Sequence, residues 1–345
     1  MYKASRTPES LSPQQLDEYL ERGWFRMVQS IFTTQFLQDK FDFGDTIWLR
    51  QHLKTFEFPK WFLKLKRDDK FRIEILDAQP TPEHEILYQV YRQTMPNEWP
   101  NSLENILFGS QSQSIYYTKM INIYYDDDLV AAGFFDLGHD SAAAIVNFYD
   151  PVLSKFSLGR YLYVLAVEYC QSLGIEYFYP GYFVPGNKHF DYKLRFHQPS
   201  LEFYEVSSGR WIPFRNFNGN ETPLRIMEEK LQTLVSELQR KGALSYLIHY
   251  ANFTFEAKSK WNSPLAILVP PTDVHSGEYA IIYDTNKRTY YLFDTTDMDC
   301  TDLIFEEGDK MACIQFLNLK DPLAESHNAS EITNKILLLK ISLER

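Results

Sequence analysis

The chain of 345 residues has few cysteines and no long apolar run, and each absence excludes a class of protein. Its cysteines, Cys170, Cys300 and Cys313, are far apart and form no Cys-x-x-Cys pair. The sequence therefore predicts neither a disulfide framework nor a zinc or iron–sulfur site. No apolar stretch approaches the ~20 residues of a membrane span, and the first residues lack the apolar core of a signal peptide. We expect a cytoplasmic protein with no membrane partner and no bound metal.

Positive charge is scarce in the chain as a whole. A net charge of −11 argues against bulk attraction to nucleic acid. Residues 50–72 are the exception, because eight Lys or Arg stand there against three Asp or Glu, a local charge of +5. Trp61, Phe62 and Phe71 are interleaved with these cations, a combination that suits a phosphate backbone and stacked bases. The alternative, which composition alone favours, is a solvated strand face.

The pattern of elements indicates an α+β fold. From residue 71 the predicted order is strand, helix, three strands, helix and strand: 71–76, a helix after Pro82, 115–125, 129–137, 142–150, 159–173 and 176–184. This order resembles the GNAT-type acyltransferase fold, in which a mixed sheet splays open beside the third helix. It does not suit a doubly wound sheet, because too many strands lack an intervening helix.

Three domains are predicted along the chain. Residues 1–68 form an N-terminal accessory domain, and residues 69–215 form the GNAT-like acyltransferase core. Residues 216–345 form a C-terminal extension with one long helix followed by β-rich sequence, including a hairpin at 279–293. No chemistry is evident in this extension.

A strand–helix–strand unit in the core gives the most probable position for a ligand. Tyr149-Asp150-Pro151 ends one strand and leads into Ser157-Leu158-Gly159 at a helix start, and Gly181-Tyr182 ends the next strand. A unit of this size is a parallel crossover. Ligands of such units bind where a strand feeds a helix N-terminus, so we expect the site there.

The same motifs occur in order in a known family. Residues 148–214 resemble the C-terminal domain of the aminoacyl-tRNA–protein transferases of the N-end rule. The resemblance is closest to the bacterial leucyl-transferase branch that acts on acidic N-termini, and more distant to the arginyl-transferases. The residues that carry it are Tyr149-Asp150-Pro151, Ser157-Leu158-Gly159, Leu173-Gly174, Tyr177-Phe178-Tyr179, Gly181-Tyr182, Lys188, Tyr192-Lys193, Arg195-Phe196, Pro199 and Trp211-Ile212-Pro213.

The N-terminal half resembles the family more faintly. Arg22-Gly23-Trp24-Phe25-Arg26 is similar to the family's Arg-Gly segment, and Arg50, Lys64 and Arg67 fall where its basic segment lies. The family usually has a cysteine cluster just after the Arg-Gly segment. This chain departs from that pattern, because residues 32–36 are Phe-Thr-Thr-Gln-Phe.

The resemblance implies transfer of a leucyl or arginyl group from aminoacyl-tRNA to the α-amine of a protein with an acidic N-terminus. An aminoacyl ester is already activated, so the enzyme needs an oriented amine, a sink for the oxyanion and a proton acceptor, but no cofactor beyond the tRNA co-substrate. The candidate catalytic residues are Asp136, Tyr149, Asp150, Ser157 and Gly159. The candidate substrate-binding residues are Arg26, Arg50, Lys64, Arg67, Leu158, Tyr179, Gly181, Tyr182, Lys188, Tyr192, Lys193 and Arg195.

Each candidate has a plainer interpretation. Ser157 is equally suited to an ordinary helix cap, and an Asp before proline, such as Asp150, usually forms a turn. Isolated tyrosines are more often core residues, and cations such as Lys193 and Arg195 are often surface charges. If the candidates form a site, we expect backbone amides to bind the oxyanion, tyrosines to stack on the terminal adenine of the tRNA, and cations to bind the acidic side chain of the acceptor.

Two alternative functions remain open from the sequence. One is a small-molecule N-acetyltransferase of the GNAT type. Acetyl-CoA is disfavoured because Tyr161 stands where a small residue would let a pyrophosphate approach the backbone. The other is a non-catalytic relative that binds tRNA or protein N-termini without transfer.

Overall fold

The computed structural model describes residues 2–39, 42–67, 69–95, 100–250, 261, 263–271, 278–295, 303–305, 311–313, 319 and 321–342. The helices are α1 (Pro13–Glu21), α2 (Lys60–Arg67), α3 (Pro82–Arg92), α4 (Leu103–Leu107), α5 (Leu158–Ser172), α6 (Pro223–Arg240) and α7 (Ala329–Ser342).

The strands alternate with these helices along the chain. The first thirteen are β1 (Lys3–Arg6), β2 (Phe25–Met27), β3 (Ser30–Thr34), β4 (Phe36–Asp39), β5 (Asp42–Asp45), β6 (Ile47–His52), β7 (Arg72–Asp77), β8 (Thr118–Tyr125), β9 (Asp128–Leu137), β10 (Ser141–Tyr149), β11 (Tyr177–Phe183), β12 (Leu201–Glu205) and β13 (Arg210–Pro213). The rest are β14 (Tyr246–Tyr250), β15 (Leu265–Val269), β16 (Tyr279–Asp284), β17 (Thr289–Asp294), β18 (Leu303–Phe305), β19 (Met311–Cys313) and β20 (Ala324–Ser326).

The chain forms two compact units, each built from separate segments. One, here called the central-sheet unit, comprises residues 5–33 and 47–217. The other, the C-terminal unit, comprises residues 1–4, 34–46 and 218–345. The last segment of the central-sheet unit ends at Phe217, and the predicted core ends at 215. The predicted N-terminal accessory domain (1–68) is not a unit of its own, because β6 lies inside the central sheet between β11 and β12.

An eight-stranded mixed sheet organises the central-sheet unit, in the order β13-β12-β6-β11-β10-β9-β8-β7. The strands predicted at 115–125 and 129–137 are adjacent in sequence and pair as the hairpin β8–β9, whose turn residues Asp126 and Asp127 both have positive φ, as a tight hairpin turn requires. Strands β10 and β11 are parallel and are joined through α5. The α+β class predicted from the sequence is confirmed.

Helix α5 packs on one face of this sheet because its apolar residues recur at helical spacing. Leu162, Leu165 and Ala166 are buried with sheet residues such as Phe135 and Phe178. Helical spacing also predicts Leu173 on this stripe, but it is 50% exposed because it forms the C-cap where the helix ends. Helices α3 and α4 form a separate core cluster with residues of β8, β9 and β10.

The basic segment predicted as part of a solvated strand face is instead helical. Helix α2 covers Lys60–Arg67 and buries Phe62 completely. Phe71 is also buried, in the core that includes α5. The predicted base-stacking role of these two rings is therefore wrong, because neither ring is accessible.

The C-terminal unit contains a seven-stranded sheet in the order β18-β19-β14-β15-β16-β17-β20. Met227, Leu231, Leu234 and Leu238 of α6 are fully buried in its core, as their spacing of three and four predicts. The predicted hairpin at 279–293 is confirmed as β16 and β17. In the part of the chain that the structure describes, no helix has the length and apolar character needed to cross a membrane.

Candidate functional site

The parallel strands β10 and β11 diverge after three pairs. Their register runs from Ser141 opposite Tyr177 to Ala143 opposite Tyr179, and then the pairing stops. Strand β10 nevertheless continues to Tyr149. The two strands therefore part toward their carboxyl ends, and the chain leaves β10 there through a 3-10 turn into α5. We infer a cleft at this point. Open α/β units bind their ligands at such a position.

The N-terminus of α5 supplies backbone donors at this cleft. The Ser157 carbonyl accepts from the amides of Arg160 (3.0 Å) and Tyr161 (3.1 Å), so the helix offers no acceptor to the amides of Leu158 and Gly159. Ser157 is exposed, has left-handed backbone angles (φ 53, ψ 45) and makes no side-chain cap hydrogen bond. The interpretation of Ser157 as an ordinary cap is therefore wrong. The first turn also lacks an acidic residue, which leaves its positive end for an external anion.

Gly159 is needed where α5 begins because it lies beside an aromatic ring. A Cβ on Gly159 would lie 3.3 Å from Cε1 of Tyr149, closer than side chains normally pack. Tyr149 in turn packs on Tyr91 of α3, with ring centroids 5.1 Å apart. The amide of Gly159 and the ring of Tyr149 therefore share one wall of the cleft.

A graded pair of substitutions tests this wall. If the chain catalyses the acyl transfer expected from its sequence, Gly159→Val should lower the turnover rate about 100-fold or more, because the branched side chain displaces Tyr149 and covers the helix amides. Gly159→Ala adds only the single methyl and should lower it less than 10-fold. Both variants should unfold within about 1 kcal/mol of the wild type in urea. Equal activity of the two variants would contradict a role for these amides.

Asp150 follows Tyr149 and forms a turn. Its Oδ1 accepts a hydrogen bond from the amide of Val152 at 2.9 Å, which fixes the start of the 3-10 turn. The plainer interpretation of an Asp before proline thus accounts for this contact. A catalytic role for Asp150 stays a prediction.

Lys193 lies among aromatic rings at the end of β11. Its Nζ donates to the carbonyl oxygen of Tyr182 at 2.6 Å and lies 5.3 Å from the ring centroids of Tyr182 and Phe190 and 5.8 Å from that of Tyr192. Desolvation lowers the pKa of Lys193 to about 7. Gly181 allows this approach, since it has φ +85 and a Cβ there would lie 3.4 Å from Nζ.

Tyr192 marks the opening of this aromatic enclosure. The side chain is 47% exposed, yet desolvation raises the pKa of its hydroxyl to about 12. The hydroxyl of Tyr192 also interacts electrostatically with Tyr91, which packs on Tyr149. Tyr149, Tyr182, Tyr192 and Lys193 are the sequence-predicted residues that we assign to the lining of this cleft.

Arg26 and Asp136 form a buried ion pair. Nη1 of Arg26 lies 2.8 Å from Oδ1 of Asp136, and the two side chains are 6% and 1% exposed. Thr118 donates to the same carboxylate oxygen at 2.6 Å, and Arg26 also donates to the carbonyl oxygens of Val28 and Leu107. Burial raises the pKa of Asp136, while Arg26 and Thr118 act in the opposite direction. This arrangement serves to hold β2 against β9, and the predicted catalytic and binding roles of the pair stay predictions.

Arg50 and Tyr179 belong to a second buried polar group. The guanidinium of Arg50 contacts Glu21 and Glu202, each at 2.6 Å, and lies over the rings of Tyr177 and Trp211. Tyr179 is 1% exposed and hydrogen-bonds to Arg50. The contacts of both residues are thus with the protein itself, and their binding roles stay predictions.

The remaining predicted residues differ in exposure. Lys64, Arg67, Lys188 and Arg195 are exposed, and Leu158 is buried in the α5 core. Tyr161 is also buried, packed on Phe62 at a ring distance of 5.4 Å. The predicted crowding of a pyrophosphate by Tyr161 is therefore wrong, because its ring points into the core.

Sequence reasoning missed two residues at this site. Tyr91 supports Tyr149 from α3, and the side-chain amide of Asn147 donates to the carbonyl oxygen of Gly159 at 3.4 Å. Alternation along β10 places Asn147 and Tyr149 on the same face of the strand, and this was the available signal for Asn147. Nothing in the sequence pattern distinguished Tyr91 from the other residues on its helix face.

Comparison with known proteins gives matches to a family model and to bacterial enzymes. Residues 83–202 match the family model described as "Arginine-tRNA-protein transferase, C terminus". An aspartate/glutamate leucyltransferase of Leptospira interrogans is 25% identical over 215 residues, covering 61% of this chain and 82% of the relative. One from Paracoccus denitrificans is 38% identical over 87 residues, 25% of this chain and 30% of the relative.

A solved structure has a weaker likeness. The L-PGS of Bacillus licheniformis is 13% identical, with a TM-score of 0.31 over 42% of this chain and 48% of that one. A likeness at this level carries no argument about fold or function.

Proposed function

Because the chain belongs to the aminoacyl-tRNA–protein transferase family, we propose that it transfers a leucyl group from leucyl-tRNA to the N-terminal α-amine of proteins that begin with Asp or Glu. It is an acyltransferase enzyme that uses aminoacyl-tRNA and a protein acceptor. The names of the relatives support leucine and acidic acceptors. The description of the family model supports arginine as the second candidate.

One observation carries the proposal: strands β10 and β11 diverge where β10 leads into the start of α5 and where β11 meets the aromatic enclosure of Lys193. The order of strands and helices from β7 to β11, together with this divergence, supports a GNAT-type core. The half-exposed ring of Tyr192 supports a cleft that remains open to a ligand.

The reaction joins the acceptor amine to the ester carbonyl of the charged tRNA. The neutral amine attacks, an amide bond forms, the ester C–O bond breaks, the terminal ribose hydroxyl is released, and the amine proton balances the charge on the leaving oxygen. About a tenth of an ordinary α-amine is neutral at pH 7, so positioning contributes more than activation of the nucleophile. The amide of Gly159 is the proposed donor to the oxyanion, since Leu158 is fully buried.

Cations at the other border of the cleft suit the acidic acceptor. Lys193 is the nearest to the aromatic wall, and its Nζ makes its hydrogen bond to a carbonyl oxygen, an acceptor that a carboxylate can replace. Arg195 and Lys188 are exposed in the same segment. We propose that this segment receives the Asp or Glu side chain of the acceptor.

A labelling experiment tests the function. The full chain is incubated with tRNA charged with labelled leucine, or with labelled arginine, and with peptides that begin with Asp, Glu or Ala. We expect labelled leucine on the Asp and Glu peptides at least 10-fold above the Ala peptide. Peptides with an acetylated N-terminus are the control, and they should remain unlabelled because the nucleophile is blocked.

Other outcomes separate the alternatives. Label from arginine alone would support the arginyl candidate. Transfer of an acetyl group from acetyl-CoA would support the N-acetyltransferase, which the size of Tyr161 no longer disfavours. Binding of tRNA without any labelled peptide would support the non-catalytic relative.

A further inference from the structure

We propose that helix α2 and the start of α5 form a docking surface for the phosphate backbone of a duplex RNA stem. This inference rests on the proposed function, because the stem would belong to the aminoacyl-tRNA donor. The surface consists of six basic residues, Lys60, Lys64, Arg67, Lys70, Lys155 and Arg160, and is called here the α2 basic surface. All six lie in the central-sheet unit.

The geometry of α2 gathers three of these cations on one side. Lys60, Lys64 and Arg67 are spaced four and three residues apart, so they lie in one row along the helix. Phe62 is fully buried on the opposite side and attaches the helix to the core. The apolar contact thus fixes the helix with its row of cations toward solvent, where all three are exposed.

Aromatic contacts join this row to the cations near the candidate site. The guanidinium of Arg160, in the first turn of α5, lies 4.9 Å from the ring centroid of Trp61. Lys70 and Lys155 both lie beside the ring of Phe156, at 6.0 and 5.1 Å. The α2 basic surface therefore runs up to the helix N-terminus that borders the cleft.

These cations lack internal compensation. Within the described ranges, none of the six takes part in an ion pair, whereas the neighbouring Lys66 and Arg72 pair with Glu168 and Glu74. Nε of Arg160 is buried and has no hydrogen-bond partner in this part of the chain. An excess of unpaired positive charge in a chain of net charge −11 favours a polyanionic partner.

The accessible groups favour duplex backbone over single-stranded bases. Phe62 and Phe71 are buried, and the guanidinium of Arg160 lies over the ring of Trp61, so the aromatic residues of the basic segment are engaged by the protein itself. What remains exposed is a row of Lys and Arg, which contacts phosphates without regard to sequence. A base-paired stem presents its phosphates in this way.

The test removes two charges on the surface and compares salt dependence. Lys64→Gln/Arg67→Gln is measured against Lys230→Gln/Arg240→Gln, which removes one exposed Lys and one exposed Arg from α6 in the C-terminal unit. Transfer is followed with full leucyl-tRNA and with a minimal donor, 3′-leucyl-adenosine, which has no stem. Binding of uncharged tRNA is measured from 50 to 300 mM KCl.

We expect the α2 variant to raise KM for leucyl-tRNA about 10-fold. In the plot of the logarithm of the tRNA association constant against log[salt], we expect the magnitude of the slope to fall by about 1–2, because each lost phosphate contact removes one unit or slightly less. Activity with the minimal donor should match the wild type, which excludes a folding defect. The α6 variant should match the wild type throughout.

The proposal is overturned if the α2 variant keeps the wild-type salt dependence of tRNA binding. It is also overturned if the α2 variant loses activity with the minimal donor, which has no stem. Loss of binding to vesicles containing phosphatidylserine, with tRNA binding unchanged, would also overturn it in favour of a membrane partner. If the wild type transfers nothing but the α2 variant still reduces the salt slope for tRNA, the proposed function fails and the docking surface stands.

Discussion

Asp136→Ala should unfold about 3–5 kcal/mol more easily than the wild type. The substitution leaves the guanidinium of Arg26 buried without its carboxylate, and an uncompensated buried charge is costly. Oδ2 of Asp136 already lacks a hydrogen-bond partner in the described part of the chain, so the stabilising contacts are concentrated on Oδ1. Urea unfolding at pH 7 measures the effect.

A paired substitution separates a positioning role from a catalytic one. Arg26→Met/Asp136→Leu replaces both charges with apolar groups of similar size and should recover most of the lost stability. If Asp136 only holds β2 against β9, this variant should keep acyl transfer within about 10-fold of the wild type. A variant that is as stable as the wild type but more than 100-fold less active would restore Asp136 as a catalytic candidate.

Lys193→Met should stabilise the protein while reducing its activity on acidic acceptors. The pKa of Lys193 is lowered from 10.5 to about 7, so the folded protein disfavours the charged amine that the unfolded chain carries. Removing the amine should raise the free energy of unfolding by about 1–3 kcal/mol at pH 7, after allowance for the lost hydrogen bond to Tyr182.

The pH dependence of this gain has a definite sign. Between pH 7 and 10.5 the unfolded wild type binds a proton at Lys193 that the folded form does not, so wild-type stability rises with pH in that window. The stability of Lys193→Met lacks this dependence on pH. Its gain in unfolding free energy over the wild type should therefore shrink steadily as pH rises through the window. Lys230→Met, an exposed lysine of α6, should show no such trend. A constant difference between pH 7 and 10 would contradict the lowered pKa.

The same variant should lose about 10–100-fold in kcat/KM with Asp and Glu peptides, because the cation proposed to receive their carboxylate is gone. A peptide beginning with Ala, assayed at higher enzyme concentration, should lose much less. An equal loss with all three peptides would show that Lys193 supports the cleft and does not select the acceptor.

Local periodicity predicted the elements that depend on neighbouring residues. The stripe of α6, the tight turn between β8 and β9, and the hairpin of β16 and β17 follow from residues close in sequence, and all three are confirmed. The position of β6 could not be predicted in this way. Its partners β11 and β12 come more than a hundred residues later, and nothing in residues 47–52 specifies them.

The sequence predicted where in the fold the candidate site lies, but not which residues face a ligand there. A strand feeding a helix start located Tyr149, Leu158 and Gly159 before any coordinates. Which cations face substrate was not predictable, because Arg26 and Arg50 differ from Lys193 only through partners distant in sequence. Asp136, which pairs with Arg26, and Glu202, which pairs with Arg50, each lie more than a hundred positions from their partner.

The placement of β6 also has a consequence for synthesis on the ribosome. His52 pairs with Tyr177, 125 positions later. At roughly 5–20 residues per second, the strand that contains Ile47, Trp48 and Leu49 waits about 6–25 s for its first neighbour to emerge. An apolar strand without a partner for that time is a binding site for chaperones and a point where nascent chains aggregate. Slow closure of a loop this long makes β6 a late element of the folding pathway.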